Sequence, residues 1–333
     1  MTRRPLVALA LVCATATLLA LAWFVWYAHT PGGRGPFPVE VRIEAGASMR
    51  EIARQLAAAG VLDHPAAFVW LARLQGLAGQ AKAGGYLFTT AISPRELLRK
   101  LTEGENLMGR ITFIEGWTFR QLRAAIDRHP HLRHDSARLT DAELLARLGI
   151  DAPHPEGLFF PDTYYFDIGS SDLELLARAH RQLQQVLDQA WRQRAPGLPY
   201  RTPYEALIMA SIIEKETAVP EERPLIAAVF VNRLKLGMRL QTDPSVIYGL
   251  GERFDGNLRK EDLLLDTPYN TYTRAGLPPT PIALPGAEAI RAALNPQASR
   301  ALYFVAKGNG YHHFSDDLDE HNRAVARYQR GQR

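Results

Sequence analysis

Apolar positions along this chain follow three patterns: one unbroken run, a few short runs with period two, and longer stretches with the 3.6-residue period of a helix. The unbroken run covers residues 6–28 and carries no charge. It has the length of a helix that spans a bilayer. Trp23, Trp26 and Tyr27 gather at its far end, as an interfacial belt does. Arg3 and Arg4 precede it, which places everything after residue 30 outside the cytoplasm. The rival is a cleaved signal peptide, whose apolar core is about 7–15 residues with a small-residue cleavage site. This run is longer and ends in bulky aromatics. Beyond the Pro- and Gly-rich linker 31–36, Val39, Val41 and Ile43 alternate with polar residues and predict a strand. Ser48 and Glu51 make a capping box for a helix that stops at Gly60. A second helix follows Pro65 and carries Phe68, Trp70, Leu71 and Leu74. Gly84-Gly85 turns into a short strand at 86–88, and Ser93-Pro94-Arg95-Glu96 opens a helix to Gly104.

The strand, glycine turn and capping box recur at Ile111-Thr112-Phe113, Gly116 and Thr118 to Gln121. Two copies do not make a solenoid. After a polar connection come a short helix from Asp141 and the aromatic stretch Glu156-Gly157-Leu158-Phe159-Phe160-Pro161-Asp162-Thr163-Tyr164-Tyr165-Phe166. Phe159 and Phe166 are expected in the core; Tyr164 and Tyr165 fit either a core or a saccharide groove. Helical spacing covers 173–194. A further helix starts at Thr202, Pro203 and Glu205 and runs through apolar positions into Glu214-Lys215-Glu216-Thr217. Another lies between Pro224 and Gly237, followed by the extended polar strip Leu240-Gln241-Thr242-Asp243-Pro244. Residues 269–286 form a long Pro- and Gly-rich loop, in which Asn270 and Tyr272 alternate with Tyr269 and Thr271, so that one pair is expected to face a cleft. A hairpin over 302–314 and a basic helix over 319–330 close the chain.

Composition narrows the class. With 333 residues, 47% hydrophobic and 22% charged, the chain can bury one large core or two modest ones. A net charge of +4 without a basic stripe argues for no nucleic-acid partner. The single cysteine, Cys13, permits neither an intrachain disulfide nor a cysteine zinc site. His312, His313 and His321 match no standard zinc spacing, so neither metal nor cofactor is expected.

The candidate chemistry lies at residues 214–217. Helical residues two apart point to nearly opposite sides. Glu216 follows Met209, Ile212 and Ile213, whereas Glu214 follows Leu207, Ala210 and Ser211. Glu216 thus ends the greasier face, where a carboxyl short of water keeps its proton to higher pH, as a general acid must. The same spacing also fits two solvated end-of-helix charges with Lys215 between them. Asp243 fits both a second active-site carboxylate and the N-cap of a short helix through Tyr248.

Glu214-Lys215-Glu216-Thr217, Asn232-Arg233-Leu234, Gly237-Met238, Leu240-Gln241-Thr242-Asp243-Pro244, Tyr269-Asn270-Thr271-Tyr272, Gly276-Leu277-Pro278-Pro279 and Glu320-His321-Asn322 resemble the motifs of the MltG (YceG-like) endolytic murein transglycosylases. The aromatic stretch from Glu156 is similar to that family's too. The likeness covers nearly the whole chain and departs at Thr280 and Leu284, where the family has Gly and Asn. It implies an α+β fold: a membrane helix within 1–30, a small LysM-like βααβ subdomain at 37–105 and a larger mixed α/β catalytic domain at 106–333. It implies non-hydrolytic cleavage of the MurNAc-GlcNAc β-1,4 bond, leaving 1,6-anhydroMurNAc ends and terminating nascent strands. Glu216 is then the catalytic acid, with Gln241, Thr242, Asp243, Asn270, Tyr272 and His312 against the substrate. The implied setting is a single-pass protein of the bacterial inner membrane with its C-terminal part in the periplasm. Its partners are glycan strands and, as a candidate, a peptidoglycan synthase complex. A hydrolytic muramidase and a non-catalytic peptidoglycan-binding scaffold remain the alternatives.

Overall fold

The computed structural model describes residues 4–35, 37–104 and 108–330. Thr2, Arg3, Pro36 and the expected domain boundary at 105/106 lie outside them. The fold is α+β, with three separate two-stranded sheets among the helices of the described residues. By its contacts the chain divides into two compact units.

The first unit holds residues 1–110, 131–133 and 165–170. Its helix α1 (Arg4–His29) contains a stretch, Leu11–His29, long and apolar enough to cross a membrane. The far end of α1 is built into the unit: Tyr27 is buried and its hydroxyl donates to the His64 carbonyl at 3.0 Å. Strand β1 (Val39–Ile43), helices α2 (Met49–Ala58) and α3 (Pro65–Leu74), strand β2 (Gly84–Phe88) and helix α4 (Pro94–Glu103) follow. β1 and β2 pair antiparallel, Val41 opposite Tyr86. The strand-helix-helix-strand order read from the sequence is therefore present. Its core is the apolar face of each element, with Ile43, Ile52, Leu56, Phe68, Tyr86 and Leu98 nearly inaccessible. Gly104 ends α4 at φ +82°, which a residue with a Cβ rarely adopts.

Strand β3 (Met108–Thr112) pairs with β4 (Thr163–Asp167), and the division runs through both strands. The second unit also contains α5 (Phe119–Asp127), α6 (Asp141–Leu148), α7 (Asp172–Arg192), α8 (Pro203–Glu216), α9 (Arg223–Lys235), α10 (Asp243–Leu250), α11 (Lys260–Leu264) and α12 (Ala287–Leu294). It closes with the antiparallel hairpin β5 (Tyr303–Ala306) and β6 (His312–Ser315), then α13 (Leu318–Val325) and a π-helical turn at Ala326–Arg330. The expected box at Thr118 forms in full, with Gln121 returning the bond. Phe159, Tyr164 and Phe166 are buried, whereas Tyr165 is exposed.

The axis of the second unit is α8, which packs against α7, α9, α10 and α12. Every residue from Ala206 to Ile213 is buried. This corrects the two-faced reading of the helix: Leu207, Ala210 and Ser211 lie as deep as Met209 and Ile212. A helix hydrophobic all round belongs inside a core. Burying each large apolar side chain stabilises by roughly 1.5–3 kcal/mol. Such a helix carries whatever ends it into the interior, and here that is the pair Glu214 and Glu216.

Candidate active site

Helix α8 starts at Thr202, whose hydroxyl accepts from the Glu205 N–H at 3.2 Å. The return half of the expected capping box is missing, because the Glu205 carboxylate takes the Arg201 backbone N–H at 2.6 Å and its Nε at 3.0 Å. At the other end the chain leaves in extended form at Thr217, φ −141°.

The two glutamates part company there. The Glu214 side chain is only 5% exposed. Its Oε1 meets Arg223 Nη2 at 3.1 Å and its Oε2 accepts the Gly286 N–H at 2.9 Å. Burial pushes its pKa up, and the Gly286 bond and Arg223 oppose that. Glu216 is partly buried and accepts one hydrogen bond, from Thr242 Oγ1 to Oε2 at 2.8 Å. Its Oε1 takes no hydrogen bond from any described residue. Burial pushes the Glu216 pKa from 4.5 up to about 7, outweighing the Thr242 bond; Asp243 adds to the rise, and Arg233 opposes it, as does His312 when its ring is charged. Neither glutamate is a solvated end-of-helix charge.

Thr242 is held by a buried hydroxyl network. Its N–H donates to Thr271 Oγ1 at 3.0 Å, Ser245 Oγ donates to the Thr242 carbonyl at 2.8 Å, and the Ser245 and Thr271 hydroxyls meet at 2.9 Å. Thr242, Ser245 and Thr271 are all nearly inaccessible. Gln241, just before them, is the one non-glycine among the described residues with positive φ, at +51°. That conformation costs on the order of 1–3 kcal/mol and persists only where its surroundings fix it. Here the Gln241 N–H is tied to the Thr271 carbonyl at 3.1 Å, leaving the side chain exposed while Thr242 turns inward.

Asp243 is not the N-cap. It is the first residue of α10, and Thr242 takes the cap position without a side-chain cap bond, its hydroxyl being committed to Glu216. Asp243 is exposed, and its Oδ1 accepts from Tyr272 at 2.6 Å. Burial and that carboxylate raise the Tyr272 pKa. The expected alternation across 269–272 fails, since Asn270 and Thr271 are both buried. The segment is folded into turns, and Asn270 holds them. Its Nδ2 donates to the carbonyls of Leu263 (3.0 Å) and Leu265 (2.7 Å), and its Oδ1 accepts from the N–H groups of Tyr272 (2.8 Å) and Thr273 (3.3 Å). The Asn270 amide therefore has no donor or acceptor left for a ligand. The loop beyond is anchored at the two departures from the motif. Thr280 Oγ1 lies 2.9 Å from the Tyr269 hydroxyl, and buried Leu284 exchanges backbone bonds with Gly116 and Trp117 at 2.8 and 2.7 Å.

His312 opens β6 with its side chain 14% exposed; its Nδ1 lies 2.7 Å from Glu222 Oε2. The other two histidines have separate neighbours: His313 Nε2 is 3.6 Å from Glu320, and His321 stacks on Tyr303 with centroids 5.1 Å apart.

Sequence reasoning quoted Arg233 and Thr271 within motifs but assigned no site role to Arg233, Glu222, Ser245 or Thr271. Arg233 is buried, donates to the carbonyls of Leu302 (2.7 Å) and Leu240 (2.6 Å), and acts electrostatically on Glu216. A signal was available: Arg233 follows Val229 and Phe230 on an apolar face of α9, where a charge needs a reason. Glu222 sits in the string Glu221-Glu222-Arg223, and nothing in its spacing separates it from Glu221.

Another buried carboxyl, Glu156, lines a cavity of about 600 Å³ together with Phe119, Arg120, Tyr248, Phe254 and Tyr269. Burial pushes its pKa up to about 7, against hydrogen bonds from the Phe119 N–H (2.8 Å) and the Tyr248 hydroxyl (3.0 Å).

The arrangement can deliver one proton from a shielded carboxyl to a ligand atom and later take one back. Known proteins are similar to this chain in sequence and form. It is 34% identical over 307 residues to the endolytic murein transglycosylase of Bacillus subtilis, covering 87% of this chain and 84% of that one. It is 30% identical over 330 residues to the endolytic murein transglycosylase of Streptococcus pneumoniae strain D39, again across 87% of this chain, and spans 58% of that longer relative. The crystal structure of a YceG-like protein from Listeria monocytogenes superposes with a TM-score of 0.53 at 30% identity, covering 86% of this chain and 98% of that one. The sequence pattern of the YceG-like family matches residues 41–327. The chain belongs to the YceG-like family.

Proposed function

We propose that this chain is an endolytic lytic transglycosylase of peptidoglycan, with Glu216 as its catalytic acid and base. The observation that carries the reading is the inequality of the carboxyls around α8. Glu214 is closed by Arg223 and Gly286, while Glu216 keeps one oxygen unengaged and its pKa rises to about 7. A carboxyl with that pKa is substantially protonated at neutral pH and is suited to general acid catalysis.

In the proposed reaction Glu216 protonates the oxygen of the MurNAc-GlcNAc β-1,4 bond as the sugar gains oxocarbenium character. The resulting carboxylate takes the proton of the MurNAc C6 hydroxyl as that oxygen closes on the anomeric carbon. The products are a free GlcNAc hydroxyl and a 1,6-anhydroMurNAc end, and no water is consumed. One carboxyl serves both steps because the nucleophile belongs to the substrate, unlike an ordinary glycosidase with two carboxylates at a set separation. The negative charge of Asp243, held by Tyr272, favours the protonated form of Glu216 and suits the positive charge that develops on the sugar. Exposed Gln241, together with Asp243, Tyr272 and His312, supplies contacts to sugar hydroxyl and acetamido groups. Thr242 aims Glu216, and Asn270 shapes the loop instead of touching the sugar.

The apolar stretch of α1 supports a setting at a membrane. We place it as a single-pass anchor in the bacterial inner membrane, with residues beyond it in the periplasm, within reach of strands still being made and of a synthase complex. The βααβ segment 37–105 serves as a LysM-like glycan-holding module, and 106–333 as the catalytic domain. Mass spectrometry of glycan digested by the full chain tests the reading. Anhydro ends, absent with Glu216→Gln, are expected. Reducing ends indicate a muramidase, and sacculus binding without fragments indicates a scaffold; either result overturns it.

A further inference from the structure

Glu222 closes the short turn Pro220–Glu222 ahead of α9 and has no part in the chemistry above. Its side chain is 10% exposed, and both of its oxygens serve one residue. Oε1 accepts the His312 backbone N–H at 2.8 Å, and Oε2 meets His312 Nδ1 at 2.7 Å. The ring is further confined by Phe304, edge-on at 5.4 Å and 85°, and by Phe314 at 6.4 Å. A carboxylate only accepts hydrogen bonds, so the hydrogen between Oε2 and the ring must sit on Nδ1. In the neutral ring Nε2 is then an acceptor. Nε2 takes no hydrogen bond from any described residue. His312 also lies within electrostatic reach of Glu216. A staple joining β6 to the turn would account for the backbone bond alone. It gives no reason for spending the second oxygen on a ring whose other nitrogen has no partner among the described residues and which lies within electrostatic reach of a candidate acid.

We propose that Glu222 is a positioning residue: it fixes the Nδ1–H tautomer and the plane of His312, so that Nε2 accepts a hydrogen bond from a hydroxyl or acetamido N–H of the sugar held at Glu216. The reading of that sugar as substrate rests on the function proposed above. The orientation of His312 by Glu222 does not. The design is that of a catalytic histidine held in the correct tautomer by a buried carboxylate. Replacing Glu222 by Gln puts an amide in its place, whose oxygen or NH2 can face the ring. The ring then chooses its own tautomer.

Two measurements on the full chain test this. In protein labelled with 15N-histidine, wild type is expected to show His312 protonated on Nδ1 with that proton slow to exchange, and Glu222→Gln to lose the signature. An Nε2-protonated wild-type ring overturns the proposal without any variant having to fold. In glycan digestion, Glu222→Gln should lower kcat/KM by about tenfold to a hundredfold, by analogy with the loss when the carboxylate behind a metal-ligating histidine is removed. In a His312→Ala background the same change should cost nothing further, as coupled residues require. Equal losses in both backgrounds, with thermal midpoints confirming folded protein, overturn it. If wild type cleaves no glycan, the proposed function falls, and the tautomer still decides the role of Glu222.

Discussion

Glu156 and Glu216 are two carboxyls of the same unit, both pushed by burial from 4.5 up to about 7. Titration alone would nominate either as an acid catalyst. What separates them is the use of their oxygens. Glu156 gives one to the Phe119 N–H at the start of α5 and the other to Tyr248, so both are occupied. Glu216 gives one to Thr242, and the other takes no hydrogen bond from any described residue. Glu156 fastens the opening turn of a helix, where a carboxylate suits both the free N–H groups and the dipole. Glu216 ends a helix, where the dipole opposes a negative charge and favours the protonated form. A raised pKa therefore marks burial, and an available oxygen marks the candidate for chemistry.

The comparison breaks most visibly at Glu216. Glu216→Gln is expected to lower the rate of glycan cleavage about 10²–10⁴-fold, the usual worth of general acid–base help, in a digest timed by fragment release. Glu156→Gln should leave cleavage per folded molecule within a few-fold, and an equal loss would erase the distinction. The third carboxyl marks the structural extreme. Glu214→Ala leaves buried Arg223 with only the longer contact to Glu115, at 4.0 Å, and should cost about 3–5 kcal/mol in thermal or denaturant unfolding.

Glu156 should reveal itself in stability instead. A carboxyl whose folded pKa is raised binds its proton more tightly in the folded state. It stabilises fully below its unfolded pKa and loses that contribution as pH rises to the folded value. The window runs from about pH 4.5 to about 7 for Glu156 and Glu216 alike. Glu156→Gln should flatten the fall in unfolding free energy across that window by up to about 3 kcal/mol. The smallest expected effect is at Thr242. Thr242→Val removes a hydrogen bond that favours the ionised Glu216, so the alkaline limb of the kcat/KM profile should move up by about one unit.

Much of this was legible in the sequence, for physical reasons. The capping residues at Ser48, Thr118 and Thr202 act within a few positions, and helices begin after each of them. The hairpin 302–314 likewise follows from local turn chemistry. The spacing argument favoured Glu216 over Glu214 on the greasier face of α8, yet both faces are buried. The distinction comes from Arg223, Gly286 and Thr242, which arrive from other elements and leave no mark in the periodicity of α8. For the same reason Asn270 read as a surface ligand, because its four hydrogen-bond partners are set by the turns it stabilises. Glu222 stayed invisible because its partner lies 90 positions away.

The central claim is that the Glu216 carboxyl, with one oxygen open to a ligand, keeps its proton into the neutral pH range. A 13C NMR titration of the glutamate carboxyls, with Glu216→Gln used to assign the signal, tests it directly. The account predicts that the Glu216 signal titrates near pH 7. A midpoint at the ordinary value of 4.5 would contradict it.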